Sequence, residues 1–463
     1  METKNNQGFL EKVFHLSENH TDVKTEVIAG ITTFMTMAYI LAVNPNILSD
    51  AGMDRGAVFT ATALASLVAT LLMAAFANYP FVLAPGMGLN AYFAYTVVLQ
   101  MGYTWQMALA AVFVEGLIFI ALSLTNVREA IFNAIPINLK HAVSAGIGLF
   151  IAFIGLQNAK IVVDSATLVS VYSFKGSIAA GNFNSEGITV LLALIGVLIT
   201  GILIVKGVKG NILWGILITW ILGILCEVTG LYQPNADLGM FSVIPDFTSG
   251  FGIPSMKETF MHVDFSRVLS LDFLVVMFAF LFVDMFDTLG TLIGVATKAD
   301  MLDKDGKLPG IKPALLSDAI ATSAGAVLGT STTTTFVESA SGVEAGGRTG
   351  LTALTTGVLF LACIFIAPIA AIIPAAATSS ALIYVGILML QGLKNVDFND
   401  LDQIVPVFIM LIAMPISGSI GHGIGLAMIS YTIIKVFSGK AKDVSVLTYV
   451  IAALFIVKFF AVV

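Results

Sequence analysis

The chain has 463 residues, of which 57% are hydrophobic and only 11% are charged, and its formal net charge is −7. Soluble domains carry about 25% charged residues and under about half apolar ones, so the composition excludes an ordinary soluble domain. We expect no nucleic-acid partner. The apolar residues come in blocks of roughly 18 to 22 residues, the length that crosses a hydrocarbon core about 30 Å thick. The sequence therefore predicts an all-α polytopic membrane protein whose solvent is the lipid bilayer.

The chain begins with a polar segment, predicted as a cytoplasmic region at 1–25. This segment lacks the apolar core and small-residue cleavage site of a secretory signal, so the first span is predicted to act as an uncleaved insertion signal. The two cysteines, Cys226 and Cys363, both fall inside apolar blocks. They form neither a disulfide framework nor a zinc-type spacing. We therefore expect no metal and no organic cofactor.

Fourteen crossings follow along the chain, and twelve of them are continuous apolar segments. Segments 81–100 and 330–347 are interrupted: Pro85, Gly86 and Gly88 break the first, and threonine and glycine dominate the second. A last apolar stretch, 444–463, fits either a fifteenth span or an amphipathic helix at the interface. The continuous segments are 27–42, 58–77, 107–124, 142–156, 190–205, 213–228, 271–295, 314–328, 351–366, 376–390, 404–415 and 425–436.

The lysines and arginines predict the orientation. With a cytoplasmic N-terminus and fourteen crossings, sixteen of them lie inside and five outside, which is a strong positive-inside bias. Omitting either interrupted segment would remove the bias. We therefore predict a multi-pass protein of the plasma membrane, with residues 231–270 as an extracytoplasmic loop.

The two halves of the chain resemble each other. Asn90 and Glu338 are 248 positions apart, and at the same offset Thr36 and Tyr39 align with Asp284 and Asp287. Seven spans in each half is an odd number, so the two copies must be inverted relative to one another. The predicted repeats are residues 26–230 for spans 1–7 and 271–438 for spans 8–14, followed by a C-terminal apolar segment at 439–463.

Broken spans at equivalent places in two inverted repeats predict a binding site near the bilayer midplane. Unwound backbone within a membrane leaves N–H and C=O groups that only protein or a ligand can satisfy. Half-helices that start at the break also direct the positive ends of their dipoles toward the site. We therefore expect the site where segments 81–100 and 330–347 meet.

Acidic residues support this location. Asp284 and Asp287 lie deep in an apolar span, and their i, i+3 spacing predicts that they share one helical face. A carboxylate inside the membrane costs several kcal/mol unless it is paired, hydrated or protonated, so it is a functional candidate by default. Glu338 lies at the second break and Asn90 at the first. The alternative is that these groups only form hydrogen bonds that lock helices together.

Four further residues are interpreted as secondary. Glu115 and Asp318 lie within spans, where bracing a neighbouring helix is at least as good an interpretation as a role in transport. Phe34 and Phe336 lie near the predicted site, and their rings are suited to stacking on a planar ligand.

Three separated motifs carry a resemblance over nearly the whole chain. They are Ala-Pro-Gly-Met-Gly-Leu-Asn90, Phe-Val-Asp284-Met-Phe-Asp287-Thr-Leu-Gly, and Thr-Thr-Thr-Thr-Phe-Val-Glu338. The sequence resembles the AzgA-like purine permeases, within the nucleobase–cation symporter family that also includes uracil and xanthine permeases. The resemblance implies two inverted seven-span repeats, with a short strand and a half-helix in each of spans 3 and 10. It also implies a core domain of spans 1–4 and 8–11 and a gate domain of spans 5–7 and 12–14.

The resemblance further implies the function and the roles of the site residues. Asp284 and Glu338 are expected as the main substrate-binding and proton-coupling carboxylates, with Asn90 and Asp287 assisting. The expected function is import of purine bases by proton symport with alternating access, with guanine and hypoxanthine favoured and adenine allowed. The proton is the expected coupling ion, sodium remains an alternative, and a homodimer is neither required nor excluded.

The sequence leaves two alternatives to purine transport. A small-anion transporter of the same architecture calls for positive charge or bare helix dipoles at the site, whereas this site carries acids. An intramembrane aspartyl protease calls for a Gly-x-Gly-Asp motif, which the sequence lacks, and for two facing aspartates rather than two on one helix. We therefore expect a transporter and not an enzyme.

Overall fold

The computed structural model of the chain describes residues 9–124, 136–166, 168–235, 238, 240–245, 252–298, 301, 308–366 and 373–461. Predictions for residues 1–8, for parts of the loop at 231–270 and for residues 462–463 lie outside the described residues. Within them, nine helices are long and apolar enough to cross a membrane, and four shorter apolar helices accompany them. The prediction of a helical polytopic membrane protein is confirmed.

The first repeat contains spans 1–7, preceded by a short helix at Phe9–Phe14. Span 1 is Val23–Met37 continued by Ile40–Asp50, and span 3 combines strand β1 with the helical segments that follow it. The remaining bounds are Arg55–Phe76 for span 2, Leu83–Pro85 for β1, Met87–Ala91 and Tyr92–Gln100 for the helical part of span 3, Trp105–Ser123 for span 4, Ile137–Asn158 for span 5, Ile188–Val205 for span 6 and Asn211–Val228 for span 7.

The second repeat contains spans 8–14. Span 10 is broken in the same way as span 3, with strand β4, Thr333–Thr335, followed by a short helix, Ser339–Glu344. The bounds are Leu271–Lys298 for span 8, Ile311–Leu328 for span 9, Thr333–Thr335 and Ser339–Glu344 for span 10, Gly350–Ala362 and Cys363–Ile366 for span 11, Ala375–Met389 and Leu390–Asn395 for span 12, Leu401–Ser417 for span 13 and Ile420–Phe437 for span 14.

Side chains that precede the spans explain where several of them begin. Asp22, Asp54 and Thr104 each accept a hydrogen bond from a backbone N–H in the first turn of the span that follows. These contacts satisfy donors that a helix leaves without an internal partner. Pro136 and Pro374 directly precede spans 5 and 12, where the missing N–H of proline costs no helical hydrogen bond.

Contacts at its two ends show that the first broken segment, span 3, runs from one end of the protein to the other. Asn78, which precedes span 3, accepts a hydrogen bond from the N–H of Gly350 at the start of span 11. At the other end of span 3, Gln100 donates to the carbonyl of Ser417 at the end of span 13. We call the end of the molecule with Gln100 and Ser417 the outer end, because the predicted orientation places it outside the cell. We call the end with Asn78 and Gly350 the inner end.

The spans pack in two groups. Span 4 packs on span 9, and span 11 packs on spans 1 and 2; span 5 packs on spans 12 and 13, and span 13 packs on span 14. The division into a core domain and a gate domain remains a prediction, and the two sets of spans keep those names below.

A hairpin between spans 5 and 6 was not predicted. Strands β2, Val162–Ser165, and β3, Leu168–Val171, pair antiparallel, and a short helix at Phe174–Ala180 follows. Lys160 forms an ion pair with Glu186 beneath this hairpin. The alternation of polar and apolar residues in this stretch is too short to have been separated from a loop by periodicity alone.

The C-terminal apolar segment forms a helix, Val446–Ala461, that packs lengthwise against span 14. Its first part lies near the inner end, where Tyr449 donates a hydrogen bond to the carbonyl of Ala441. Its last part lies near the outer end, where the ring of Phe459 is 5.5 Å from that of His422. Sixteen residues of helix extend about 24 Å. The helix therefore runs along span 14, and a fifteenth span and an interfacial helix both remain predictions for this segment.

Candidate functional site

Strands β1 and β4 cross at the middle of the protein. They pair antiparallel, with Leu83 opposite Thr335, Ala84 opposite Thr334 and Pro85 opposite Thr333. The pairing continues beyond both strands, because Gly86 N–H donates to the Thr332 carbonyl at 2.9 Å and Phe336 N–H donates to the Val82 carbonyl at 3.0 Å. Each inverted repeat thus supplies one strand, and the predicted meeting of the two breaks is confirmed.

Hydroxyl groups satisfy the outer edges of this two-stranded ribbon. Thr70 of span 2 exchanges hydrogen bonds with both the N–H and the carbonyl of Leu83, at 3.3 and 3.2 Å. Thr322 of span 9 donates to the carbonyl of Thr333 at 3.1 Å. Extended backbone inside a membrane is tolerated only where protein groups take the place of water. The threonines therefore explain how irregular chain persists at this depth.

Close packing at the crossing requires glycine. A β-carbon at Gly86 would collide with the Thr334 side chain and lie 3.5 Å from the Asp287 carboxylate. Gly342, in the half-helix after β4, abuts Thr33 and the Ala29 carbonyl of span 1. Neither glycine has a left-handed backbone, so the requirement comes from space and not from conformation.

Two of the predicted acids lie beside the ribbon. Thr334 donates a hydrogen bond to Asp287 Oδ2 at 3.2 Å, and Tyr39 of span 1 donates to Glu338 Oε1 at 2.7 Å. Asp287 and Glu338 are near enough to repel each other electrostatically. Both side chains keep some accessible surface, whereas Thr334 and Thr335 beside them are buried. The two acidic residues are therefore less enclosed than the strand beside them.

Asp284 points elsewhere. Thr288 hydrogen-bonds to Asp284 Oδ1 at 3.0 Å and to both oxygens of Asp318, at 3.2 and 3.1 Å. The Glu115 carboxyl of span 4 lies close enough to Asp284 for the two acids to interact electrostatically. Asp284 is fully buried, and its exposure therefore differs from that of Asp287. Residues three apart on a helix with about 3.6 residues per turn diverge by about 60°, which is enough to bring the two carboxyl groups to different neighbours.

Asn90 joins the two breaks. Its side-chain N–H₂ donates to the Pro85 carbonyl at 3.3 Å, and its oxygen accepts a hydrogen bond from the Ser331 hydroxyl. The residue is fully buried. In this arrangement it holds the end of β1 against the chain that leads into β4.

The two predicted aromatic residues have different surroundings. Phe34 of span 1 packs edge-to-face on Phe360 of span 11, with ring centroids 5.4 Å apart, and remains partly accessible. Phe336 follows β4 directly and is 6% exposed. Stacking of either ring on a ligand stays a prediction, as do the roles assigned to the six predicted site residues.

Tyr39 and Thr334 are site residues that the sequence analysis did not single out. The sequence did offer a sign of Tyr39, because the repeat offset aligns this residue with Asp287, the second acid beside the ribbon. Thr334 is one of four consecutive threonines, and only the strand register shows which of them faces Asp287.

The chemistry of the site follows from its charge. Carboxylate oxygens accept hydrogen bonds from N–H groups, and no lysine or arginine in the described part of the chain pairs with Asp287 or Glu338. In the same described ranges, no group of three His, Cys, Asp or Glu side chains is arranged to hold a metal ion. Within the described residues, the carboxylates of Asp287 and Glu338 therefore keep acceptor oxygens that no cationic side chain occupies.

Two inverted repeats whose broken spans meet around buried polar groups form the architecture of a secondary transporter. The chain belongs to the permease family, because the model of that family matches residues 24–426. This membership confirms the predicted relationship to nucleobase permeases and the prediction that the protein is not an enzyme.

Individual relatives extend over nearly the full chain. A putative permease of Methanocaldococcus jannaschii is 48% identical over 97% of this chain and 98% of its own length. The guanine/hypoxanthine permease PbuO of Bacillus subtilis is 45% identical, covering 97% of this chain and 100% of that protein. The adenine permease AdeP of Escherichia coli is 42% identical, covering 98% and 96%.

A solved structure confirms the fold. The transmembrane domain of the cyanobacterial bicarbonate transporter BicA aligns with a TM-score of 0.61 over 87% of this chain and 97% of that chain. The sequences are 17% identical, so this similarity concerns the fold alone.

Proposed function

We propose that this protein imports purine bases by proton symport and that Asp287 and Glu338 hold the base at the crossing of β1 and β4. The observation that carries the proposal is a pair of half-buried acids beside the strand ribbon of a permease, one bound by Tyr39 and the other by Thr334. Relatives named as guanine/hypoxanthine and adenine permeases, at 45% and 42% identity over nearly the whole chain, support the substrate class.

The edges of a purine complement this site. Guanine and hypoxanthine carry a donor at N1, and guanine adds an exocyclic amine, so one carboxylate accepts one or two N–H bonds from the same edge. Adenine offers its exocyclic amine but no N1–H. On these grounds 6-oxopurines are the favoured substrates and adenine is the weaker one.

Glu338 is the better placed acid for this recognition. It precedes the half-helix Ser339–Glu344, and its carboxylate makes no capping bond to that helix. Its oxygens are thus available to a ligand, with Tyr39 fixing their direction. Asp287 accepts from Thr334 through one oxygen. Asp284, which the resemblance also assigned to the base, is assigned here to proton coupling because its described neighbours are Thr288 and Glu115.

Hydrogen bonds between the core and gate spans support alternating access. At the outer end, Asn158 of span 5 donates to Tyr95 of span 3 at 2.9 Å, and Thr96 donates to the carbonyl of Gly418 at 2.6 Å. Nearby, Asn46 of span 1 donates to Thr378 of span 12 at 3.2 Å. We call these contacts the outer latch. Transport in this proposal breaks the outer latch as the core moves against the gate.

The exposure of the site fits a state that is closed outside and open inside. Asp287 and Glu338 keep accessible surface while the outer latch is formed. Val337, directly before Glu338, is 44% exposed although it lies within a span. In the proposed orientation the N-terminus is cytoplasmic and the protein resides in the plasma membrane, so this state releases the base into the cell.

Uptake in a transport-deficient host tests the proposal. Radiolabelled hypoxanthine, guanine, adenine, xanthine and uracil are each measured with and without a protonophore, and unlabelled sulfate serves as a competitor for the anion alternative. Hypoxanthine and guanine should accumulate, and the protonophore should abolish the accumulation. Glu338→Gln should abolish uptake, whereas Glu258→Gln, the same change at an exposed loop position, should not.

Two results would overturn the proposal. If unlabelled sulfate inhibits uptake and unlabelled purines do not, an anion transporter is favoured. If accumulation persists in the presence of the protonophore but requires sodium, then sodium and not the proton is the coupling ion.

A further inference from the structure

We propose that Glu115, Asp284 and Asp318 form a proton-binding site that is separate from the two carboxylates beside the ribbon. The three acids come from three different spans, 4, 8 and 9. All three are fully buried. Thr288 bridges Asp284 and Asp318 with hydrogen bonds of 3.0 to 3.2 Å, and Glu115 lies close enough to Asp284 for the two acids to interact electrostatically.

The contacts of Thr288 identify the ligand as a proton. Its hydroxyl has a single hydrogen and ionised carboxylates have only acceptor oxygens, so when Thr288 bonds to both Asp284 and Asp318 one of these acids supplies the second hydrogen. Glu115 Oε2 accepts from Thr332 at 2.9 Å, whereas Glu115 Oε1 is buried and receives no hydrogen bond from any donor in the described structure. A proton shared with Asp284 satisfies this oxygen.

The surroundings of Glu115 favour protonation. The acidic groups that face it are Asp284 from span 8 and Asp318 from span 9, and Tyr92 faces it from span 3. Two ionised carboxylates in contact repel each other, and burial away from water also disfavours the charged form. The described structure brings no arrangement of three metal-ligating side chains together here. A proton therefore suits the cluster better than a metal cation.

The cluster is connected to both broken spans. Glu115 binds the hydroxyl of Thr332, and the carbonyl of Thr332 accepts the N–H of Gly86 after β1. Asp284 lies on the same helix as Asp287. When the cluster takes up a proton from water or releases it, the charge of the cluster changes by one unit. This change does not displace a ligand bound at Asp287 and Glu338. The link to coupling rests on the proposed function, whereas the binding of the proton does not.

Infrared spectroscopy of the purified protein tests proton binding without any transport. A protonated carboxylic acid in an apolar site has a carbonyl-stretch band that shifts in D₂O. We expect this band at neutral pH in the wild type and its loss in Glu115→Gln and in Asp318→Asn. It should remain in Glu258→Gln. If Glu115→Gln fails to fold, the wild-type band and the Asp318→Asn spectrum still decide the question.

Proteoliposomes then test coupling. Glu115→Gln should reduce the accumulation of hypoxanthine driven by an imposed pH gradient by about tenfold or more, the effect of about 1.4 kcal/mol. Exchange of labelled for unlabelled hypoxanthine at equal pH should change by less than about threefold, because the base contacts are intact.

Each outcome has a separate meaning. Absence of a protonated-acid band in the wild type, or its full retention in Glu115→Gln, overturns the proton site. Normal gradient-driven accumulation by Glu115→Gln overturns its role in coupling. Failure of the wild type to transport any purine refutes the proposed function and leaves the infrared result to decide the proton site by itself.

Discussion

Replacement of Tyr39 by phenylalanine is the sharpest probe of the site, because it removes one hydroxyl and changes little else. Tyr39 is fully buried, and its hydroxyl donates to Glu338 Oε1 at 2.7 Å. No other side chain in the described structure donates to this carboxylate. In Tyr39→Phe the Glu338 side chain is therefore free to rotate before the base arrives.

The magnitude follows from the cost of fixing that rotation on binding. Ordering a glutamate side chain costs up to about 1.5–2 kcal/mol, and about 1.4 kcal/mol corresponds to a tenfold change in affinity. We therefore expect the Kd for hypoxanthine to rise by about 10- to 30-fold, measured by calorimetry on the purified protein. The phenylalanine ring keeps the packing of the tyrosine, so the variant should fold.

Tyr232→Phe provides the matched control. Tyr232 donates a hydrogen bond of the same length, 2.7 Å, to the carbonyl of Phe241 and lies away from the ribbon. This variant should bind hypoxanthine as the wild type does. A Kd for Tyr39→Phe within about twofold of wild type, a difference well below 1.4 kcal/mol, would refute the claim that Tyr39 orients a carboxylate for binding.

Three further predictions concern stability and access. Asn90→Ala leaves the Ser331 hydroxyl and the Pro85 carbonyl without their hydrogen-bond partner. This variant should lose about 1–3 kcal/mol of stability, which would appear as a lower melting temperature in detergent. An unchanged melting temperature would contradict the bracing role of Asn90. Gly342→Ala should cost about 1–3 kcal/mol by overpacking, whereas Gly252→Ala, which has open space around it, should not. Asn158→Ala should weaken the outer latch by about 0.5–1.5 kcal/mol and increase labelling from outside of a cysteine introduced at Val337; unchanged labelling would argue against the latch.

The sequence was sufficient to predict the framework of the fold. Pro85, Gly86 and Gly88 mark the first break, and the repeat offset locates the second at Glu338. Local chemistry and symmetry together thus predict the crossing of β1 and β4. The hairpin at 162–171 and the direction of the C-terminal helix depend on tertiary contacts and left no comparable signal.

The environments of individual acids required coordinates. Spacing alone predicted that Asp284 and Asp287 act on one face, yet their described partners are Thr288 and Thr334 respectively. The rotation of span 8 about its axis decides which groups each acid meets, and that rotation is set by packing against span 4 and by the hydrogen bonds between Thr288 and Asp318 of span 9. For Glu115 the sequence left bracing and a role in transport both open, since it does not show what lies opposite this residue.

The ribbon also constrains the order in which this protein is made. Leu83–Pro85 is synthesised long before Thr333–Thr335, its pairing partner. During that interval the first strand lies in the membrane with backbone groups that no later span has yet covered, a costly condition in lipid. Insertion of the first seven spans therefore produces an unfinished half, and the ribosome must continue into the second repeat beyond Thr335 before the centre of the protein can close.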